Sequence, residues 1–407
     1  MKKKNIVIVL AVVIMIIGGL FFFLFKERNV IIEESYIDVV INSSNTAEVF
    51  SDHKVSEYIS VIGGNILNDA SLDTSVTGKQ KNEVIYINKE KKKYKAYLEI
   101  DVVDSVAPLI LGGSSYTLKK ANNQDLSFAF FSADNYDNDP KREIIGTYDI
   151  NTIGQYELTL KVSDASQNIS SKNFTLKVVE SITPAKPVKT ETLYSDVINA
   201  QKNDTTAIGI DVSRWQEDID YEIIKANGVE FVMMRVGFQE GFDGSSVLDS
   251  YFIQNITRAK ASNIPVGLYY YSYATSTKEA KEQALWVIDQ IKKYDITLPI
   301  AFDWESWSKF VSLKLSLHDI NEIAEVFINT INEHGYVGMN YSSKYYLENI
   351  WNLEDFPTWL AHYTKQTSYT KEYLLWQLCN DGVIPGINGA VDINVMNKNS
   401  VWYNQKG

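Results

Sequence analysis

The run Leu298-Pro299-Ile300-Ala301-Phe302-Asp303-Trp304-Glu305 constrains this chain more than any other stretch. An unbroken apolar segment that ends in two acids predicts a buried strand of a parallel sheet, with the acids at its C-terminal end. Strand side chains alternate between faces, so Asp303 and Glu305 point the same way. Two carboxyls one strand repeat apart, with Trp304 between them and Trp307 just beyond, suit the splitting of a glycosidic bond, one as acid and one as charge stabiliser. Asp-x-Glu is common, so the reading takes its weight from the surrounding segments.

Four of them fit it. Ile208-Gly209-Ile210-Asp211-Val212-Ser213-Arg214-Trp215-Gln216 reads as a short strand ending in an acid, and Phe231-Val232-Met233-Met234-Arg235-Val236-Gly237 as a second buried strand. Val266-Gly267-Leu268-Tyr269-Tyr270-Tyr271-Ser272-Tyr273-Ala274 is a third, and Trp376-Gln377-Leu378 precedes Ile387-Asn388-Gly389-Ala390-Val391-Asp392-Ile393-Asn394, a strand with an Asp near its end. Helical patterns lie between the strands: residues 249–262 carry Phe252, Ile256 and Ala259 on one face, Ser276 and Glu279 form a capping-box signature, and residues 319–334 close at Gly335. Alternating strand and helix units over some 200 residues predict a parallel sheet closed into an α/β barrel, TIM-like, with its catalytic face at the strands' C-terminal ends. Asp211, Asp303, Glu305 and Asp392 would converge there, and four carboxyls in one mouth raise the pKa of at least one of them.

These segments, in order, spacing and residue type, resemble the glycoside hydrolase family 25 lysozymes, N-acetylmuramidases of bacterial, phage and fungal origin, over residues 204–400. The resemblance implies an irregular barrel with fewer helices than strands. It also implies that Glu305 is the general acid for the bond between N-acetylmuramic acid and N-acetylglucosamine. Asp303 stays ionised, to stabilise the oxocarbenium-like centre or to orient the substrate's own N-acetyl group; Asp211 and Asp392 tune charge and hydrogen-bond the sugar. Tyr269, Tyr271, Trp304, Trp359 and Tyr363 are candidates to stack on sugar faces, with core packing as the competing reading of each. Arg235 is expected to pair with the acids and Gln377 to hydrogen-bond the sugar or a carboxylate. No cofactor is expected.

Ahead of this half the pattern changes. Lys2, Lys3 and Lys4 precede residues 6–25, an uncharged run of 20 residues that predicts an N-terminal transmembrane helix contacting the lipid bilayer. The excess of basic residues before it puts the N-terminus in the cytoplasm and the rest of the chain outside a single-pass cell membrane. Residues 29–183 contain a repeat: Asp73-Thr74-Ser75-Val76-Thr77-Gly78 aligns with Asp149-Ile150-Asn151-Thr152-Ile153-Gly154, and Val102-Val103-Asp104-Ser105-Val106-Ala107-Pro108 with Val178-Val179-Glu180-Ser181-Ile182-Thr183-Pro184, both at an offset of 76. Half-buried alternation between these anchors predicts two all-β sandwiches in tandem, the second resembling bacterial immunoglobulin-like modules. The expected multidomain plan is thus an anchor over 1–28, modules over 29–107 and 108–183, a semi-stiff linker over 184–203, and the barrel over 204–407, which holds all eight tryptophans.

Composition excludes several classes. From residue 204 onward there are 16 Lys and Arg against 26 Asp and Glu, so nucleic acid is repelled. The single cysteine, Cys379, rules out an intramolecular disulfide, reads as a buried small hydrophobe, and in an exported chain suggests a Gram-positive bacterium. The four histidines show no zinc-peptidase spacing, and Asp134, Asp137 and Asp139 read as a solvated acidic loop, so no metal is expected. The expected partner is the glycan strand of peptidoglycan. The rival readings are a non-catalytic wall-binding protein and a glycosidase on another N-acetylated glycan such as chitin.

Overall fold

The computed structural model describes residues 32–42, 44–183 and 190–403. The chain divides into two compact units, with the boundary between Ser105 and Val106.

The first unit contains β1 (Val39–Ile41), β2 (Thr46–Glu48), β3 (Ile59–Val61), β4 (Asn65–Ile66), β5 (Gly78–Ile87) and β6 (Lys93–Val103). They form a four-stranded sheet in the order β2-β6-β5-β4 and a ribbon β1-β3. Period-two alternation buries Val84 and Tyr86 on β5 and Ala96, Leu98, Ile100 and Val102 on β6, so one face of the long hairpin is the core.

The second unit opens with β7 (Leu109–Leu111), β8 (Ser115–Lys119), β9 (Phe131–Ala133), β10 (Lys141–Ile145), β11 (Gly154–Ser163) and β12 (Ile169–Val179), a sheet β10-β11-β12-β8 with a ribbon β7-β9. Gly154 follows Gly78, and Ile169 follows Lys93, by 76 residues, so the two hairpins obey the repeat seen in the sequence.

The barrel follows: β13 (Thr192–Leu193), β14 (Thr206–Val212), β15 (Val232–Gln239), β16 (Ser246–Leu248), β17 (Val266–Ser272), β18 (Ile300–Trp304), β19 (Gly338–Ser343), β20 (Thr358–Ala361), β21 (Leu375–Val383) and β22 (Val391–Asn397). Seven strands, β14, β15 and β17 to β21, run parallel to their neighbours, and β22 closes the ring antiparallel to both β14 and β21. The interior is filled by Phe231, Met233, Ala301, Met339, Trp359, Leu375 and Met396. A larger apolar layer outside the strands receives the helices Phe252–Ala261, Thr277–Ile291 and Leu317–Glu333.

The expected architecture needs correcting in four respects. Over the described residues the chain is mostly β, and in the barrel the helices stop early: none lies between β20 and β21, a parallel pair joined by the irregular stretch 362–374, or between β21 and β22, whose antiparallel pairing needs no crossover. The result is an eight-stranded barrel with few helices rather than a TIM-like alternation. Neither module is an immunoglobulin-like pair of antiparallel sheets; each is a four-stranded sheet with a parallel pairing, β2 on β6 or β8 on β12, plus a two-stranded ribbon. The transmembrane helix expected at residues 6–25 lies outside the described residues, and among those described no helix is long and apolar enough to cross a membrane. Finally, the stretch expected to be a linker is structured from Thr192: β13 pairs with β21, and the helix Tyr194–Gln201 sinks Tyr194 and Val197 into the barrel's apolar layer. The second module shares that layer through Leu111 and Ala133, so it joins the barrel in one compact unit.

Candidate active site

Strand register assembles the site. Tyr271 on β17, Asp303 on β18, Tyr341 on β19 and Trp359 on β20 are successive cross-strand partners, so they form one row around the inside of the barrel. The ring is completed by Gln377 on β21 opposite Asn394 on β22, and by Asp392 on β22 opposite Asp211 on β14. Glu305 follows the last residue of β18 and projects on the same side as Asp303. A cavity of about 350 Å³ at this mouth is lined by Asp211, Asp303, Glu305 and Asp392 together with Arg235, Tyr269, Tyr271, Trp359, Tyr363 and Gln377. A wider cavity of about 630 Å³ adjoins it through Tyr363 and Asn380 but holds none of the four acids.

Asp392 corrects one expectation. It sits near the start of β22, not its end, and reaches the mouth because β22 runs against its neighbours. Its partner Asp211 is 6% exposed, and Asp211 Oδ2 accepts from Gln377 Nε2 at 2.9 Å and Asn394 Nδ2 at 2.8 Å. Gln377 Nε2 also donates to Asp392 Oδ2 at 3.2 Å, while its Oε1 accepts from Tyr341 at 2.9 Å and Tyr363 at 3.1 Å. Trp359 Nε1 holds Asn394 Oδ1 at 2.8 Å. The tyrosine hydroxyls therefore fix the amide, and the amide fixes the two carboxyls.

Burial pushes Asp303 well above the ordinary carboxylate range; the charges of Glu305 and Asp211 add to it and Arg235 opposes it. Asp303 Oδ1 is buried and makes no hydrogen bond within the protein. Glu305 opens to solvent through the cavity mouth but is crowded by protein on its other sides, and that crowding raises its pKa, with Asp211 adding and Tyr341 opposing. Asp211 is raised by burial against the hydrogen bonds from Asn394 and Gln377, and Asp392 by burial and the charge of Asp211. The cluster thus holds protons that isolated carboxyls would have lost at neutral pH.

Trp304 does not reach the site. Alternation sends it to the outer face, where it is fully buried against Trp307 and Phe310 and donates to Ala274 O at 3.1 Å. Trp359 and Tyr269 form the floor, packed edge to face at 5.8 Å, whereas Tyr363 is 53% exposed at the rim. Arg235 lines the cavity but pairs with Asp249, not with the four acids: Nε donates to Asp249 Oδ2 at 2.8 Å, and the same carboxylate caps the backbone of Arg214 and Tyr251. Asp134 is a buried cap rather than a solvated loop acid, accepting from the N–H groups of Tyr136 and Asp137. Cys379 is buried as expected, its thiol pushed up to about 11 by that burial. Tyr341, Asn394 and Asp249 were missed because each reads as an ordinary strand or loop residue until register places it; Trp215, 71% exposed at the cavity rim, lay within a motif already singled out.

A closed barrel that brings a strand-repeat pair of acids, two further carboxyls and aromatic walls to one mouth is built for glycoside hydrolysis. Residues 210–387 match the family model described as Glycosyl hydrolases family 25, and the protein is a glycoside hydrolase. The uncharacterized protein YegX of Escherichia coli (strain K12) is 26% identical over 197 residues, 47% of this chain and 70% of that protein. The autolytic lysozyme of Clostridium acetobutylicum is 25% identical over 190 residues, 46% of this chain and 54% of the relative, so the match spans about half of that protein. Among solved structures, a family 25 glycosyl hydrolase from Bacillus anthracis is 22% identical with a TM-score of 0.41, covering 48% of this chain and 91% of that one.

Proposed function

We propose that this enzyme is a lysozyme that cleaves the β-1,4 bond between N-acetylmuramic acid and N-acetylglucosamine in peptidoglycan. The observation that carries the reading is the inward pair Asp303 and Glu305 at the end of β18, backed by Asp211 and Asp392. Asp303 and Glu305 share a proton. Before substrate arrives, deeper burial favours it on Asp303; an N-acetyl N–H donated to the unpaired Asp303 Oδ1 favours the ionised form there and leaves the proton on Glu305. Glu305 then protonates the leaving oxygen as the bond to C1 breaks, and Asp303 steadies the acetamido group as its oxygen closes on C1. The adjacent placement of the two acids suits this substrate-assisted route, since a direct nucleophile sits about 5 to 5.5 Å from the acid, across the bond.

The working location is the cell surface next to the membrane, where the enzyme trims nearby wall. The support is the apolar run at residues 6–25, a pattern in the sequence alone. Recovery of most of the protein, shortened at its N-terminus, from culture medium would overturn that placement.

Glu305→Gln keeps shape and removes the proton, so clearing of purified walls should fall by about 10²- to 10⁴-fold, with N-acetylmuramic acid at the new reducing ends made by the unsubstituted enzyme. Equal clearing by both proteins sinks the acid assignment, and N-acetylglucosamine at the new ends sinks the bond assignment.

A further inference from the structure

The main chain on both sides of Glu305 is fixed by tryptophans. Trp304 is anchored on Ala274, and its ring meets Trp307 edge-on at 4.9 Å; Trp307 N donates to Glu305 O at 2.8 Å, a tight turn around the acid. The Trp307 ring in turn stacks on Tyr346 at 4.0 Å and on Phe310 at 6.0 Å. Trp351 closes one side edge-on at 5.5 Å, and a further wall of this aromatic box comes from the module ahead of the barrel: Phe131 of β9 lies 5.2 Å from Phe310 and 6.3 Å from Trp307.

The same module also holds the far end of the loop. Leu317 N donates to Asp134 O at 2.7 Å and His318 N to Asn135 O at 3.3 Å. These are first-turn N–H groups of the helix Leu317–Glu333, which have no partner inside a helix, so the module supplies the acceptors the helix lacks. The segment between Glu305 and that helix is therefore gripped at both ends by five consecutive positions, residues 131–135.

We propose that the module over residues 106–183 is a brace for the acid-bearing loop, and that Phe131 is its positioning residue. Phe131 touches no substrate; it limits the play of Trp307 and, through it, of Glu305. The inference rests on Glu305 being the acid. Misplacement of a reacting group by a fraction of an ångström to one ångström costs rate rather than binding.

The test uses the full chain carrying Phe131→Ala, with Phe131→Leu as the conservative variant, on solubilised glycan strands. Phe131→Ala should lower kcat about tenfold and leave KM within about twofold, with Phe131→Leu recovering most of the rate. The alkaline limb of kcat should move to lower pH, because a loosened loop admits water to Glu305 and weakens the burial that raises it. The other groups facing Glu305 stay in place: Asp303 beside it, Asp211 and Asp392 across the mouth, and the hydroxyls of Tyr271, Tyr341 and Tyr363. A lower melting temperature with kcat and its pH limb unchanged would reduce Phe131 to a structural role and overturn the proposal. Should Phe131→Ala not fold, the same readouts on Phe131→Leu decide. Absence of cleavage by the unsubstituted enzyme would instead refute the lysozyme reading itself.

Discussion

The hairpins β5–β6 and β11–β12 are one piece of structure used twice. Each pairs a strand of 10 residues with one of 11, buries matching positions such as Ile100 and Leu176, and takes a parallel neighbour at one edge. The ribbons beside them differ. Ribbon β1-β3 leaves Val40 and Ile41 exposed, whereas ribbon β7-β9 delivers Leu111 and Ala133 into the apolar layer of the barrel. A repeat's alternation determines how it folds, while a few side chains at its margin determine what it joins.

Truncating the matched positions is the hardest test of that contrast and carries the largest effect. Ile100→Ala and Leu176→Ala should each cost about 2–5 kcal/mol of the stability of the unit that contains them. Glycan cleavage should survive Ile100→Ala and fall with Leu176→Ala, because only Leu176 belongs to the compact unit that includes the barrel. Equal loss of activity in both, or in neither, breaks the comparison; calorimetry alongside the cleavage assay shows which unit melts.

The two units should also drift oppositely with pH. In the first, Glu57 is held low by His53, Asp69 by Ser56 and Asp73 by Ser75, so their contribution is present above the ordinary carboxylate range and lost as pH falls through the lowered values. The site acids Asp211, Asp303, Glu305 and Asp392 are raised, so their contribution is complete at acid pH and lost as pH rises through the raised values. Between about pH 5 and 8 the melting temperature of the catalytic unit should fall while that of the first unit holds. Asp303→Asn should flatten the drift and raise the catalytic unit's stability at the alkaline end by about 0.5–2 kcal/mol, the usual return on removing a strained functional group. A melting temperature that climbs over that range, or a drift untouched by Asp303→Asn, would show that the acids are not the source.

How much of this was legible depended on how local the signal was. The barrel strands and their acids follow from unbroken apolar runs that end in carboxyls, and the repeat from period-two alternation, signals that short windows carry. The same rule, applied strictly, excludes Trp304 from a face shared with Asp303 and Glu305, and the structure enforces it. Asp392 came to the right place for a different reason, since nothing local says that β22 runs antiparallel. The brace was invisible because Phe131, Trp307, Phe310 and Tyr346 are scattered over the chain, and an aromatic residue in sequence does not name its partner. Asp249 was likewise hidden: its role as counter-charge to Arg235 depends on two segments folding against each other.

The smallest expected effect separates the forces at the module–barrel contact. Lys314 Nζ lies 3.1 Å from Asp139 Oδ2 beside the aromatic box, but both side chains are more than half exposed. An exposed pair gains little Coulomb energy in water and loses side-chain entropy, so Lys314→Ala should change stability by no more than about 0.5 kcal/mol and leave kcat unaltered. Lys314 also ends the short helix Phe310–Leu313 in a left-handed conformation, φ 54°. For that reason Lys314→Asn, which tolerates this backbone better and still removes the charge, is the cleaner variant. If Lys314→Asn lowered kcat as much as Phe131→Ala, the loop would be held by charge rather than by ring packing, and its rate would then fall with added salt; an unchanged rate across salt concentrations leaves the aromatic wall as what holds the acid in place.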